Sequence, residues 1–290
     1  MSLCRRAGLD GIAWSLRRLH TPVSRDALVL EVGSGGNPYW RSNVLLDAYL
    51  DTRERHFEQL VHDRPTVLGF VERLPFRDDV FDFVIASHVL EHSPDPVKFL
   101  GELQRVARAG YIEVPDAFTE RLTAYLDHRL EITERDGTLV IRKKSSYITD
   151  AELWELFTHR ANRVFPELMS RRPFDFHVRF YWSRAEGDGI PYRITNPEVQ
   201  CDWKAVDTGY VRGDLSMMAR AKRRTLSVAR RLFSQHRRNR SLDLVGLLRC
   251  PECSGAPLSA GAMMLTCPSC GRAYPIVAGG VPDFTVRDPE

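Results

Sequence analysis

The 290-residue chain has no unbroken apolar run of the ~18 residues that a membrane-crossing helix needs, so no membrane span is expected. Its N-terminus lacks the uninterrupted apolar segment of a secretory signal. There, Arg5, Arg6, Asp10, Arg17 and Arg18 break up Ile12, Trp14, Leu16 and Leu19, and residues 1–24 read instead as an amphipathic helix on a domain edge. A strong charge imbalance is missing too, and a formal net charge of +3 names no class of partner. Cysteine is scarce, with six in all, and nothing signals the oxidising compartment that disulfides need; a cytoplasmic location is the expectation.

Two more absences concern a glycine-rich segment near the start. Leu28-Val29-Leu30-Glu31-Val32 is a short apolar run that breaks into Gly33-Ser34-Gly35-Gly36-Asn37-Pro38. Such a strand empties into a loop whose backbone N–H groups can approach a ligand closely. A dinucleotide fingerprint needs a third glycine where Pro38 stands, and a phosphate-cradling P-loop needs a lysine after the glycines, which the segment lacks. What is present is a strand ending in an acidic residue followed by Gly-x-Gly.

Downstream, strand and helix patterns alternate as in a parallel sheet. Asn43–Asp47, Thr66–Phe70, Phe81–Ser87 and Gly110–Val114 read as strands, and about Asp95 to Arg108 as a helix with Val97, Leu100, Leu103 and Val106 at helical spacing. Leu130 to Lys143 reads as a hairpin turning at Asp136-Gly137. Thr149-Asp150-Ala151-Glu152 has the pattern of a capping box. Phe174, Phe176, Val178, Phe180 and Trp182 alternate strictly, and with Ile190 to Ile194 they are expected to form an antiparallel pair that closes the sheet.

With Leu74-Pro75-Phe76, Phe81-Asp82-Phe83-Val84-Ile85 and Ser87-His88-Val89-Leu90-Glu91-His92, the glycine segment resembles the class I S-adenosylmethionine-dependent methyltransferases, in their broad small-molecule branch, over roughly Ala27 to Thr195. The resemblance implies an α/β fold, a Rossmann-like seven-stranded methyltransferase sheet, spanning residues 25–215, and S-adenosyl-L-methionine as cofactor. Matched residue by residue, it implies that Glu31, Gly33 and Gly35 surround the methionine end and that Asp47 takes the ribose hydroxyls. Asp51 is the weaker ribose candidate. Val71 would offer its backbone to the adenine, and Ser87 would line the floor. The chain departs from the pattern at Phe70, where the family places an aspartate that reads the adenine; either Phe70 or Glu72 takes over that contact. The stretch from Gly36 to Asn43 is short for the usual first helix, so an irregular loop with Tyr39 and Trp40 is expected there.

Methyl transfer is an in-line displacement in which positioning supplies most of the rate. Where the acceptor is a hydroxyl, a base helps, and His88, His92 and Asp116 are the catalytic candidates because open α/β sheets bind ligands at the carboxyl ends of their strands. His88-Val89-Leu90-Glu91-His92 also spells the H-x-x-E-H pattern of inverted metalloproteases, but it directly follows a buried strand, and Pro94 and Pro96 interrupt the long helix that such a site requires.

The scarce cysteines are concentrated at the other end. Cys250-Pro251-Glu252-Cys253 and Cys267-Pro268-Ser269-Cys270 are two C-x-x-C knuckles that can hold a structural zinc ion in a small C-terminal zinc ribbon. Together with Leu248-Arg249, Leu265-Thr266, Tyr274-Pro275-Ile276 and Gly280-Val281-Pro282, the stretch from about Leu242 to Phe284, within a zinc-ribbon domain of residues 242–290, resembles the small zinc proteins that activate tRNA, rRNA and release-factor methyltransferases. The implication is that the ribbon packs on the chain's own methyltransferase domain. Residues 216–241 form a basic linker (Arg220, Lys222, Arg223, Arg224, Arg230, Arg231, Arg237, Arg238, Arg240) read chiefly as a solvated helix face, with an electrostatic platform for RNA or an anionic membrane surface as the alternative.

The expected activity is methyl transfer to a small-molecule or glycan-type acceptor. The absence of an Asn-Pro-Pro-Tyr motif after Phe81–Ser87 disfavours base or glutamine methylation. Methylation of RNA or a translation protein is one alternative, and a catalytically silent scaffold that binds a partner through its zinc module is another.

Overall fold

The computed structural model describes residues 2–50, 59–187, 189–201, 203, 225, 227–228, 230, 232–254 and 257–285. Asp51 and much of the basic linker, including Arg220, Lys222, Arg223, Arg224 and Arg231, lie outside them.

A six-stranded sheet forms the centre in the order β3-β2-β1-β4-β5-β8. Its strands are β1 (Val29–Val32), β2 (Val44–Asp47), β3 (Thr66–Leu68), β4 (Phe83–Ser87), β5 (Ala109–Pro115) and β8 (His177–Ser183). Every residue of β1, β2 and β3 is buried, the signature of strands covered on both faces, and β1–β2 and β2–β3 pair in parallel. The seventh strand of the expected sheet is missing among the described residues. β8 does run antiparallel beside β5, from Ala109↔Ser183 to Pro115↔His177. Tyr192–Ile194, however, does not pair with it. As β9, this segment lies parallel to β7 (Thr138–Lys143) in a separate sheet completed by β6 (Leu130–Arg135). Strict alternation told which face of β8 is buried, that of Val178, Phe180 and Trp182, and nothing about which strand Ile190 to Ile194 would join.

Local signals act as the residues suggest. Asp136 (φ 51°) and Gly137 (φ 73°) form the left-handed turn joining β6 and β7. The helix Ala151–Arg160 is capped by Asp150, whose side chain accepts from Leu153 N at 2.9 Å, while the Thr149 hydroxyl donates to Glu131. The expected capping residue was Thr149, one position earlier. Between β1 and β2 the chain is irregular, with Tyr39 buried. The N-terminal segment is two short helices (Ser2–Arg6, Asp10–Leu16) and a 3₁₀ turn (Arg17–Leu19). Its apolar Ile12, Leu16 and Leu19 are exposed, and Ala13 and Arg17 are what it buries.

The chain divides into two compact units, each interrupted in sequence: Met1–Pro22, Ala86–Val97 and Ala109–Thr208 in one, and Val23–Ile85, Lys98–Arg108 and Gly209–Glu290 in the other. In the second unit, the C-terminal strands β10 (Ser259–Ala260), β11 (Met264–Thr266), β12 (Ala273–Val277) and β13 (Val281–Pro282) form a four-stranded sheet. This ribbon continues β3: Asp283 bridges Leu68 in parallel, Phe284 N donates to Leu68 O at 2.9 Å, and Leu60, Leu68 and Val281 form a small apolar cluster. A second backbone seam joins Phe76 to Leu248, with Arg249 N donating to Pro75 O. Ion pairs Arg73–Glu252 (2.7 Å) and Arg249–Asp78 (2.8 Å) flank the seam. Both are partly exposed, so each contributes at most ~1 kcal/mol and the apolar and backbone contacts dominate.

Candidate functional site

In the second unit, the loop after β1 turns left-handed at Gly33 (φ 60°) and Gly35 (φ 57°), conformations that cost a side-chain-bearing residue roughly 1–2 kcal/mol. Two buried carboxylates hold this region. Asp47, at the carboxyl end of β2, accepts from Gly35 N at 2.9 Å and from Tyr49 N at 3.2 Å. Glu31 Oε2 accepts from Tyr39 N at 2.8 Å and from the Ser42 hydroxyl at 2.5 Å. Glu31, Gly33, Gly35 and Asp47 are thus brought together by adjacent parallel strands, and the two acids fix the loop's shape from below. Val71 opens a 3₁₀ turn after β3, with its side chain buried. Phe70, just before it, is 39% exposed and edge-on to Tyr49 at 6.1 Å between ring centres.

The first unit holds a buried network that composition and motifs did not reveal. Glu113, fully buried in the apolar strand β5, accepts from Arg17 Nε and Nη2 at 2.7 Å each, from the Tyr111 hydroxyl at 2.5 Å and from Ser87 Oγ at 2.9 Å. Burial alone would raise its pKa, but His88 and Arg17 hold it well below the carboxylate range. A charge interrupting the apolar run Gly-Tyr-Ile-Glu-Val was the available signal; Arg17, 96 residues away, offered none.

His88 stands at φ 58°, an uncommon backbone state for a residue with a side chain, and its N–H donates to Glu113 O at 2.7 Å. Its half-exposed ring sets Nε2 3.4 Å from Glu113 and Nδ1 3.5 Å from Glu91. Burial lowers its pKa, but the two carboxylates overcome this and raise it to about 9. Leu90–His92 is a three-residue 3₁₀ turn, so the two histidines of H-x-x-E-H do not share the helix of a metalloprotease. His92 lies against His128, ring centres 4.6 Å apart, and burial together with that neighbour lowers its pKa. Asp116 is committed to structure: Oδ1 caps the helix Ala117–Thr123 through Phe118 N, and Oδ2 accepts from Thr133 Oγ1 at 2.6 Å. Ser87, predicted to line the cofactor site, spends its hydroxyl on Glu113.

The four knuckle cysteines converge. Cys250 and Cys270 sulfurs are 3.7 Å apart, and Cys253 and Cys267 sulfurs 3.4 Å. Neither separation is a disulfide bond. Both are near the edge of about 3.8 Å that a tetrahedron with Zn–S of ~2.3 Å demands, so the thiol set fits a zinc ion. Cys250 and Cys267 are buried, and the Tyr274 hydroxyl lies 3.1 Å from Cys250. Among the described residues no helix is long and apolar enough to cross a membrane.

Residues 30–112 match the family described as methyltransferase domain, and the largely parallel sheet with its glycine loop is the fold typical of class I methyltransferases. In this particular chain the domain is joined to a second module, residues 241–279, which match the family described as Trm112p-like protein. No curated protein matches the sequence significantly. Solved structures with local likeness include the YcgJ protein of Bacillus subtilis (17% identity, 43% of this chain and 69% of that one, TM-score 0.30). A SAM-dependent methyltransferase of Aquifex aeolicus is similar at 17% identity, covering 44% of this chain and 67% of that one, with TM-score 0.27. A chain from the complex of the Haloferax volcanii Trm112 methyltransferase activator is similar at 17% identity, covering 61% and 91%, with TM-score 0.36.

Proposed function

We propose that this methyltransferase acts on a small-molecule or glycan-type acceptor, with S-adenosyl-L-methionine held by Glu31, Gly33, Gly35, Asp47 and the backbone of Val71. The observation that carries the cofactor assignment is the pinning of a doubly left-handed glycine loop by Asp47. A preformed loop of bare backbone suits a ligand with carboxylate, amine and hydroxyl groups. Ser87 is assigned to the floor of the cofactor site, and His88, His92 and Asp116 are the residues assigned to the acceptor. His88 and Asp116 are already held by neighbouring groups, so placement of donor and acceptor on one line, rather than proton transfer, is the main source of rate. The four cysteines hold zinc as a structural ion, which requires the reduced thiols of a cytoplasmic setting.

The basic linker lends less to an RNA surface than its composition suggests. Arg238 donates to the carbonyls of Arg25, Asp26 and Ala27, and Arg230 is buried 3.6 Å from Asp63. The deciding experiment incubates the protein with methyl-labelled cofactor and a cell extract, then separates low-mass solutes from RNA and protein. Label in the low-mass fraction supports the reading. Label in RNA, with salt-sensitive binding to bulk tRNA, supports the RNA alternative in its place.

A further inference from the structure

We infer that Glu91, His92 and His128 form a second metal site, distinct from the four cysteines, which takes a divalent transition ion of the zinc or ferrous class. One ligand atom from each of the three lies within 4.8 Å of the others. The inference goes beyond the methyl-transfer reading and does not depend on it. If it holds, His92, placed above on the acceptor side, serves as a ligand there.

The starting observation is an under-satisfied anion. Glu91 is almost fully buried and neither carboxylate oxygen makes a hydrogen bond of standard geometry; among the described residues its one ion pair is the long contact to His88 Nδ1 at 3.5 Å. A buried carboxylate with a single long ion pair has coordination to spare, which a bound cation would take up. His92 Nδ1 is likewise buried without a hydrogen bond, with Asp127 Oδ2 at 3.6 Å.

The second observation is how His128 is held. Its Nδ1 lies 2.7 Å from Glu120 Oε2, and Glu120 Oε1 accepts from the buried Lys144 Nζ at 2.7 Å. A carboxylate on one imidazole nitrogen fixes the tautomer and orients the other nitrogen to ligate, the usual outer support of a metal-bound histidine. Nε2 is the nitrogen left for this, with Asp127 Oδ1 at 3.9 Å as a further oxygen nearby. Two imidazoles and a carboxylate suit borderline ions and leave a coordination position for water or an oxygen ligand. Ligation at about 2.1 Å requires the three atoms to draw to about 3.4 Å apart.

His88 does not belong to the site, because its two nitrogens face Glu113 and Glu91. The chemistry of H-x-x-E-H is therefore divided: Glu91 and His92 ligate together with His128 from outside the motif, and His88 stands in the Glu113 network.

The test uses the full-length protein, saturated with zinc, dialysed, and analysed for metal by mass spectrometry. Two equivalents per chain are expected. Glu91→Gln or His128→Gln should each remove one and leave the other, and Cys250→Ser should remove the complementary one. Titration with Co(II) separates the two sites by spectrum, since thiolate-to-cobalt absorption reports the cysteines and visible bands without it report the nitrogen–oxygen site. A single equivalent in the wild-type protein overturns the inference whether or not any variant folds. Two equivalents that Glu91→Gln leaves unchanged, with that variant folded by circular dichroism, overturn it as well.

Discussion

Arg17 and Glu113 meet across 96 residues of sequence as a buried, two-pronged pair, Nε to Oε2 and Nη2 to Oε1, each at 2.7 Å. The pair ties the N-terminal segment to the middle of β5, and it explains why that segment is held although its larger apolar residues face outward. Breaking one side leaves an uncompensated charge, which costs more than the intact pair contributes. Arg17→Met should therefore lower unfolding free energy by about 3–5 kcal/mol, and the double change Arg17→Met with Glu113→Gln should cost less than the single one. Urea unfolding of the three proteins checks the order, and a double variant weaker than Arg17→Met contradicts it.

The same carboxylate sets a pH dependence. Glu113 titrates well below its ordinary value of 4.5 in the folded chain, so its contribution is fully present above the unfolded value. It is lost as pH falls below about 4.5 toward the folded pKa. Melting temperature should drop over that acid range in the wild type, and the drop should be shallower in Glu113→Gln.

The ribbon and β3 share backbone bonds, so metal removal should be felt beyond the cysteines. The Leu68–Asp283 bridge and the bond from Phe284 N to Leu68 O both depend on strands that the tetrathiolate organises. A strong chelator, or Cys267→Ser, is expected to lower the melting temperature of the whole chain and to expose the Leu60, Leu68 and Val281 cluster to a hydrophobic dye. An unchanged melt after complete zinc removal would show that the ribbon does not brace the sheet.

At Gly35, φ is 57°, and its N–H bonds Asp47. Gly35→Ala should cost about 1–2 kcal/mol in strain and weaken cofactor binding roughly tenfold. Calorimetry on the folded variant measures the second effect, and unchanged affinity would place the cofactor elsewhere.

Much of this was legible from residues near each other in sequence. Strands β1 to β5 appear as apolar runs because burial on both faces leaves no room for alternation, and Asp136-Gly137 announces its turn through φ alone. The glycine loop and the cysteine knuckles are likewise local patterns with a geometric meaning. What escaped depends on partners distant in the chain. The pairing of β9 with β7 is not encoded in the alternation of Phe174 to Trp182 or in the short run Ile190 to Ile194. The choice of Asp150 over Thr149 as cap was decided by Glu131, which takes the threonine hydroxyl. Glu113 was visible as a charge in an apolar strand, yet its meaning required Arg17, Tyr111 and Ser87 to be brought around it.

The most direct test of the account is titration of the zinc-loaded, full-length protein with S-adenosylmethionine and S-adenosylhomocysteine, for the wild type and for Asp47→Ala. Micromolar binding that falls sharply in Asp47→Ala is the predicted result. No binding at millimolar cofactor, with the protein folded, would contradict it and leave a methyltransferase fold serving as a scaffold.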